Sequence, residues 1–333
     1  LWRNAFMHMR DWARVGALSL GVAGLGWAAR GFLPPAFSLD PPQVVPESFL
    51  PPASLPDIEV TFLRCGVASI PECVAVRGSL SFAPRAISYG AVLIRHPRAT
   101  FLYDTGLCSD IYLFLKDQSF LFHQTLARFT FEHSLLDHLT TLGLRPRDLE
   151  FTFLSHLHWD HVSGIPDIPG VPLRINRVEY DAAASTGLLE HRHGLVQSLL
   201  GDANPVELFD CAGPAYEGFR SSLDLFGDGS VIAVPLPGHT AGNTGLFINR
   251  AHGPRLFLLG DAVWLADHYL RPSIMHPFFW SQVTSDDATA RQTILSLYHY
   301  ARRHPEVSLI AMHDADLQAA FMQTERLREV QTT

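Results

Sequence analysis

Charge is scarce in this chain. Only 17% of its 333 residues are Asp, Glu, Lys or Arg, against 47% hydrophobic. That composition excludes a coiled coil and a disordered chain, and it suffices to bury the core of one large or two medium domains. Positive charge is in deficit, with a formal net charge of −8. Such a chain repels phosphate backbones, so no nucleic-acid partner is expected. Cysteine is rare as well. Cys65, Cys73, Cys108 and Cys211 contain no C-x-x-C pair, which removes a cysteine zinc site and a thioredoxin-type centre. Cys65 and Cys73 are near enough to bridge a loop in an oxidising compartment, but the simpler reading is two unlinked thiols. There is no repeat of fixed period and no G-x-S-x-G elbow for a serine nucleophile.

A long apolar run is also missing. Val15 to Ala29 is uncharged and rich in Gly, Ala and Leu, but shorter than the 18 or so residues of a membrane span. With Arg3, Arg10 and Arg14 before it and Arg30 after it, residues 1–33 have the pattern of a secretory signal or an uncleaved anchor. An exported, periplasmic or membrane-attached protein is therefore expected. The alternative is a cytoplasmic protein whose first segment covers a partner. Residues 34–56 carry eight prolines, which exclude helix and central strand and predict an extended linker or arm. The catalytic domain is expected to span 57–333.

Within that domain, short β-rich runs alternate with helical stretches. Ile58–Leu63, Ser88–Arg95, Thr100–Tyr103, Glu150–Leu154, Val231–Leu236, Arg255–Leu259 and Val307–Met312 read as strands. Helices are expected over Ser119–Leu142, stopped at Gly143, and over Asp286–Arg303, with Ser285 as its cap. This predicts a layered α/β or α+β domain.

Seventeen histidines are present, and their arrangement matters more than their number. His156-Leu157-His158-Trp159-Asp160-His161 follows a predicted strand. On a helix, His156 and His158 would diverge; in an extended loop they converge on one ion, and a turn would aim Asp160 and His161 at a second point. His239, Asp261 and His313 each follow a further strand. Imidazole with carboxylate is the ligand set of zinc and, less selectively, of iron, manganese or cobalt.

The segment from His156 to His161 resembles the H-x-H-x-D-H signature of the metallo-β-lactamase superfamily. Tyr103-Asp104-Thr105-Gly106 ahead of it and Pro237-Gly238-His239-Thr240 after it extend the likeness through residues 57–333. The resemblance implies an αββα sandwich with the site at one edge of the sheets. It implies one divalent metal on His156, His158 and His239, and a second on Asp160, His161 and His313. Asp261 would bridge the two, and Asp104 would orient a ligand. Two cations about 3.5–4 Å apart share a hydroxide that attacks an electrophilic carbonyl or phosphorus. Asp160 has a second candidate role in holding or shuttling the proton.

Among the branches, a β-lactamase of the commonest type would carry Cys where Asp261 stands, and the di-iron oxygen-reducing branch Glu where His158 stands. The N-acyl homoserine lactonases are the most similar, through Ser155-His156-Leu157-His158, Val178-Glu179-Tyr180-Asp181-Ala182-Ala183 and His313-Asp314. One position departs. That branch has Tyr three residues after the bridging Asp, and here it is Trp264, whose indole donates a hydrogen bond but is no comparable proton source. His268 and Tyr269 lie nearby as replacements. Trp159, Phe279 and Trp280, with Phe114, Phe120, Phe122 and Phe278, would either pack in the core or line a pocket for an apolar portion of a small-molecule substrate. The expectation is a dinuclear hydrolase of lactones or carboxylic esters. The alternatives are a phosphodiesterase or phosphotriesterase-like enzyme and a non-catalytic, membrane-attached metal-binding protein. Oligomeric state is left open.

Overall fold

The computed structural model describes residues 31–38 and 54–332, apart from 117, 119, 126, 186–199 and 201. The apolar run Val15–Ala29 and most of the proline-rich stretch lie outside the described residues. Among the described residues no helix is long and apolar enough to cross a membrane.

Strand alternation builds two sheets. The first contains β1 (Glu59–Pro71), β2 (Pro84–His96), β3 (Ala99–Tyr103), β4 (Thr130–Phe131), β5 (Phe151–Leu154), β6 (Leu173–Asn176) and β7 (Val206–Phe209), in the order β4-β1-β2-β3-β5-β6-β7. The second contains β8 (Leu223–Asp224), β9 (Val231–Pro235), β10 (Thr244–Ile248), β11 (Arg255–Leu258) and β12 (Val307–Ile310), in the order β12-β11-β10-β9-β8. Successive side chains of a strand point to opposite faces. In β2, Val92 and Ile94 face the second sheet, while Ala91 and Leu93 pack under the helix Leu135–Thr141. In β9, Val231 and Ala233 face the first sheet, while Ile232 and Val234 pack under the helix Asp287–Arg303. The central strands of both sheets are thus covered on both faces, which explains why β3, β5, β9, β10 and β12 are mostly apolar. The result is the expected αββα layering.

The helix Asp287–Arg303 presents Ala290, Ile294, Leu297 and Tyr300 to the second sheet, at the three- and four-residue spacing of one helical face. Each large apolar side chain fully buried this way contributes roughly 1.5–3 kcal/mol. Two expectations need correction here. The cap is Asp286, whose carboxylate accepts from Thr289 N at 3.1 Å; the Ser285 hydroxyl bonds the His239 carbonyl at 2.9 Å instead. Ser119–Leu142 is not one helix. It divides into helices Phe120–Thr125 and Leu135–Thr141 with β4 between them, because Thr130 and Phe131 pair with Val67 and Gly66. The second of these helices starts at a capping box of Ser134 and Asp137, which the apolar periodicity conceals. All four cysteines are free thiols.

Replacing Asp286 by Ala should lower the free energy of unfolding by about 1 kcal/mol, through loss of the cap on a 17-residue helix. Denaturant titration of the variant checks this, and an unchanged midpoint would show that packing alone holds the helix.

Candidate metal centre

Five strands end at one edge of the sandwich, three of them in the second sheet. β3 runs into Asp104 and β5 into His156. β9 leads through Gly238 to His239, β11 through Gly260 to Asp261, and β12 to His313. The two sheets are tied where they meet: Tyr103 donates its hydroxyl to Thr244 O at 2.8 Å, and Thr244 N donates to Ser155 O at 2.9 Å.

Local backbone requirements explain the glycines flanking the ligands. Gly238 has φ 124°, and a Cβ there would lie 2.2 Å from Ala290 N of the covering helix. Only glycine lets the His239 loop pass that close. After His158 the chain turns into the short helix Trp159–Val162, which carries Asp160 and His161 into a second ligand group while the His161 ring stays 4.1 Å from that of His156.

The seven candidate ligands are all buried and fall into two groups. His156, His158, His239 and Asp261 place one ligand atom each within 4.8 Å of one another, and so do Asp160, His161 and His313. Asp261 lies between the groups. Its Oδ2 is 3.3 Å from His239 Nε2 and 3.0 Å from His313 Nε2, and its Oδ1 is 3.2 Å from His161 Nε2. His158 Nδ1 and His239 Nε2 approach to 2.8 Å. Two imidazole lone pairs cannot face each other at that distance unless a proton or a cation stands between them.

The hydrogen bonds around the histidines select their tautomers. Asp104 accepts from His161 Nδ1 at 2.8 Å, from Ser155 N at 2.7 Å and from Ser155 Oγ at 2.9 Å. With its hydroxyl proton given to Asp104, Ser155 Oγ accepts from His156 Nδ1 at 2.9 Å. His313 Nδ1 donates to the Ser88 carbonyl at 2.7 Å. All three rings therefore turn Nε2 inward. His156 Nε2, His161 Nε2 and Asp261 Oδ1 are buried and make no hydrogen bond. Buried polar atoms without partners are costly, and cations held by the two groups would satisfy all three. The donor set fits a divalent metal of the zinc, manganese, iron or cobalt type.

Charge points the same way. Burial would raise the Asp261 carboxyl, but His313 and His161 hold it well below the usual carboxylate range. Burial pushes the Asp160 carboxyl up. It also drives His156 far down, helped by the imidazoles of His161 and His158. For His161 burial acts in the same direction, but Asp261, Asp104 and Asp160 together outweigh it and raise that imidazole. The buried carboxylates thus demand positive charge, which a metal supplies without a proton.

Sequence reasoning missed two residues that hold this geometry. Glu179, on the helix Arg177–Ser185, accepts from Leu157 N at 3.0 Å and from Gly242 N at 2.8 Å, clamping the His156–His158 loop to the His239 loop. Asn243 accepts from Asp261 N at 3.1 Å while donating to Leu236 O at 3.0 Å, so it spans two ligand-bearing loops. Nothing local marks Asn243. The run Val178–Ala183 contains Glu179, but its partners are far away in sequence.

The aromatic candidates divide. Trp159 is core: it is 3% exposed and packs on Tyr89, Phe114, Phe122 and Phe129. Trp280 is buried, and its Nε1 donates to Asp287 at 2.7 Å. Phe278 and Phe279 are half-buried, and Phe120 is exposed. Tyr269 donates to Leu309 O and the His268 ring bonds Ala75 O, so both have structural partners. Trp264 differs. It is half-buried between the apolar cluster around Trp159 and Leu265 and the one under the helix Asp287–Arg303, its ring centroid 4.6 Å from that of His313, and its Nε1 is buried without a partner.

A family model described as the metallo-beta-lactamase superfamily matches residues 90–293. The chain is 25% identical over 194 residues to the N-acyl homoserine lactonase AttM of Rhizobium radiobacter, covering 57% of this chain and 67% of the relative. Among solved structures, the fold is similar to an N-acyl homoserine lactone hydrolase with the product N-hexanoyl-L-homoserine bound at its catalytic metal centre. That likeness has a TM-score of 0.60 at 17% identity, over 80% of this chain and 96% of the other. The dizinc quorum-quenching lactonase AidC, also with bound product, is similar with a TM-score of 0.52 at 18% identity, over 79% and 89%.

Replacing Asp104 by Ala should weaken metal retention roughly tenfold to hundredfold, by freeing the His161 ring and the Ser155 hydroxyl. Competition with a chelator measures this, and unchanged retention would remove Asp104 from the support of the centre. Glu179→Gln, which keeps an acceptor only toward one loop, should fall between wild type and Asp104→Ala.

Proposed function

Because the chain belongs to the metallo-β-lactamase superfamily, we propose that it is a dinuclear, metal-dependent hydrolase that opens a lactone or a related carboxylic ester. The observation that carries this reading is the pair of buried ligand groups with Asp261 between them. Zinc is the favoured metal, on the donor set and on the similarity to a dizinc lactonase. Relatives named N-acyl homoserine lactonase support a cyclic ester as the substrate class, and an acyl homoserine lactone as its candidate member.

Bound there, two divalent cations would lower the pKa of water toward neutrality and polarise a carbonyl oxygen. The residues of the chain do the rest. Asp160 stands 3.4 Å from His313 and 3.9 Å from His161 in the second ligand group, and its carboxylate there is placed to take and return a proton of the reacting water. Trp264 offers an unpartnered indole N–H beside His313, which suits a hydrogen bond to a substrate oxygen. The indole cannot protonate a leaving alkoxide, so that proton falls to Asp160. An apolar portion of the substrate would lie along the Trp264 ring, where those two clusters meet.

A second reading has one observation in its favour. An aryloxide leaves without a proton donor, so Trp264 in place of a tyrosine is equally compatible with a phosphotriester.

A panel of acyl lactones, aryl esters and phosphotriesters separates these readings. Turnover of phosphotriesters with inert lactones would overturn the first. Asp261→Ala should lose both metal, by elemental analysis, and turnover; normal activity would mean that the bridging carboxylate is another residue. Trp264→Phe should lower kcat/KM about tenfold with metal content unchanged, the worth of one hydrogen bond to a substrate oxygen.

A further inference from the structure

Residues 31–38 form an arm laid over the layer outside the second sheet. The Phe32 ring packs on His276 at 5.0 Å, and the guanidinium of Arg291 sits 5.2 Å from the centre of the Phe37 ring. Leu33 O accepts from Arg77 Nε at 3.0 Å. Beside the arm is an open cleft of about 700 Å³, bordered by Pro34, the loop 76–79, the segment 270–273 and Tyr298. Its charged lining is Arg77, Arg271 and Arg302 against one carboxylate, Glu72. That is a positive face on a chain of net charge −8.

Around the cleft the apolar exposure is high. Leu33, Leu80, Phe82 and Leu270 are 60%, 80%, 80% and 58% exposed. Three of them lie at the cleft or next in sequence to its lining. Leu270 lines the cleft, Leu33 adjoins Pro34, and Leu80 follows Ser79. Arg85 bonds Asp267 at 2.8 Å, which holds the segment of Phe82 beside the helix Ala266–Leu270. Single exposed apolar residues need no explanation, but several beside one arginine-lined cleft mark an interaction surface.

We propose that this face rests on an anionic lipid surface, with the four apolar side chains in the headgroup–acyl boundary and the three arginines on lipid phosphates. The occupant follows from where the arm begins. It continues directly from residues 1–30, whose apolar run Val15–Ala29 is bracketed by Arg14 and Arg30. The cleft is lined by Pro34, Pro35 and Phe37 of the arm that follows this run in the chain. Apolar contact combined with arginine is the composition that holds a protein in the plane of an acidic membrane. The inference does not depend on which ester or phosphotriester the metal centre cleaves.

The test uses the full chain and vesicles of phosphatidylcholine with or without phosphatidylglycerol. The chain should float with the phosphatidylglycerol vesicles, and amide exchange should slow in residues 76–85 and 266–273. A variant combining Leu80→Asp, Phe82→Asp and Arg271→Glu should bind these vesicles at least roughly tenfold more weakly, with turnover of a soluble substrate unchanged. Failure of the wild-type chain to float overturns the proposal. So does flotation without slowed exchange, or an undiminished variant, since either assigns attachment to residues 1–30 alone. Slow exchange in both segments without vesicles, in a protein that sediments as a dimer, would make the face a contact between two copies instead.

Discussion

The rest of the structure depends on the burial of Asp104, Asp160 and Asp261 at one edge of the sandwich, where water cannot screen them. Carboxylates so placed must be hydrogen-bonded, protonated or paired with a cation. Asp104 takes the first course, collecting two protons from Ser155 and one from His161. Its φ of 61°, unusual outside glycine, is the strained conformation that aims it there. Asp261 is left with one oxygen unsatisfied among inward-turned imidazoles. The positions of His156, His161 and His313 follow, because each ring is locked through the nitrogen that faces away from the centre.

This division of labour shows why the candidate metal ligands were legible in the sequence and their supports were not. Ligand chemistry is restricted to a few residue types, and a sheet delivers them at strand ends, so His156, His239, Asp261 and His313 announce themselves one after another. Support is generic. Ser88 contributes only a carbonyl, and Asn243 and Glu179 act by reaching backbone amides 18 to 63 residues away. No spacing rule marks such partners.

The fold was readable for a related reason. Strands buried on both faces are mostly apolar, and seven strands begin within a few residues of where composition sets them, although β1 runs on to Pro71 and β6, β7, β8 and β10 went unmarked. The misread region, 119–142, failed because a two-residue strand held by pairing with Val67 has no signature of its own. Its apolar residues repeat at helical intervals on either side, so one period ran through a break that tertiary pairing imposes. Trp159 shows the converse. Its place inside the ligand motif suggests a substrate contact, yet four aromatic neighbours make it part of the core beneath the site.

The centre draws its ligands from both sheets: His156 and its neighbours from the first, His239, Asp261 and His313 from the second. A cation held by such a set cannot remain bound if the sheets part. Binding and folding are then linked, and each tenfold rise in free metal above its dissociation constant adds about 1.4 kcal/mol to the work of unfolding. With such a cation bound, the sandwich would be harder to unfold than the same chain deprived of metal.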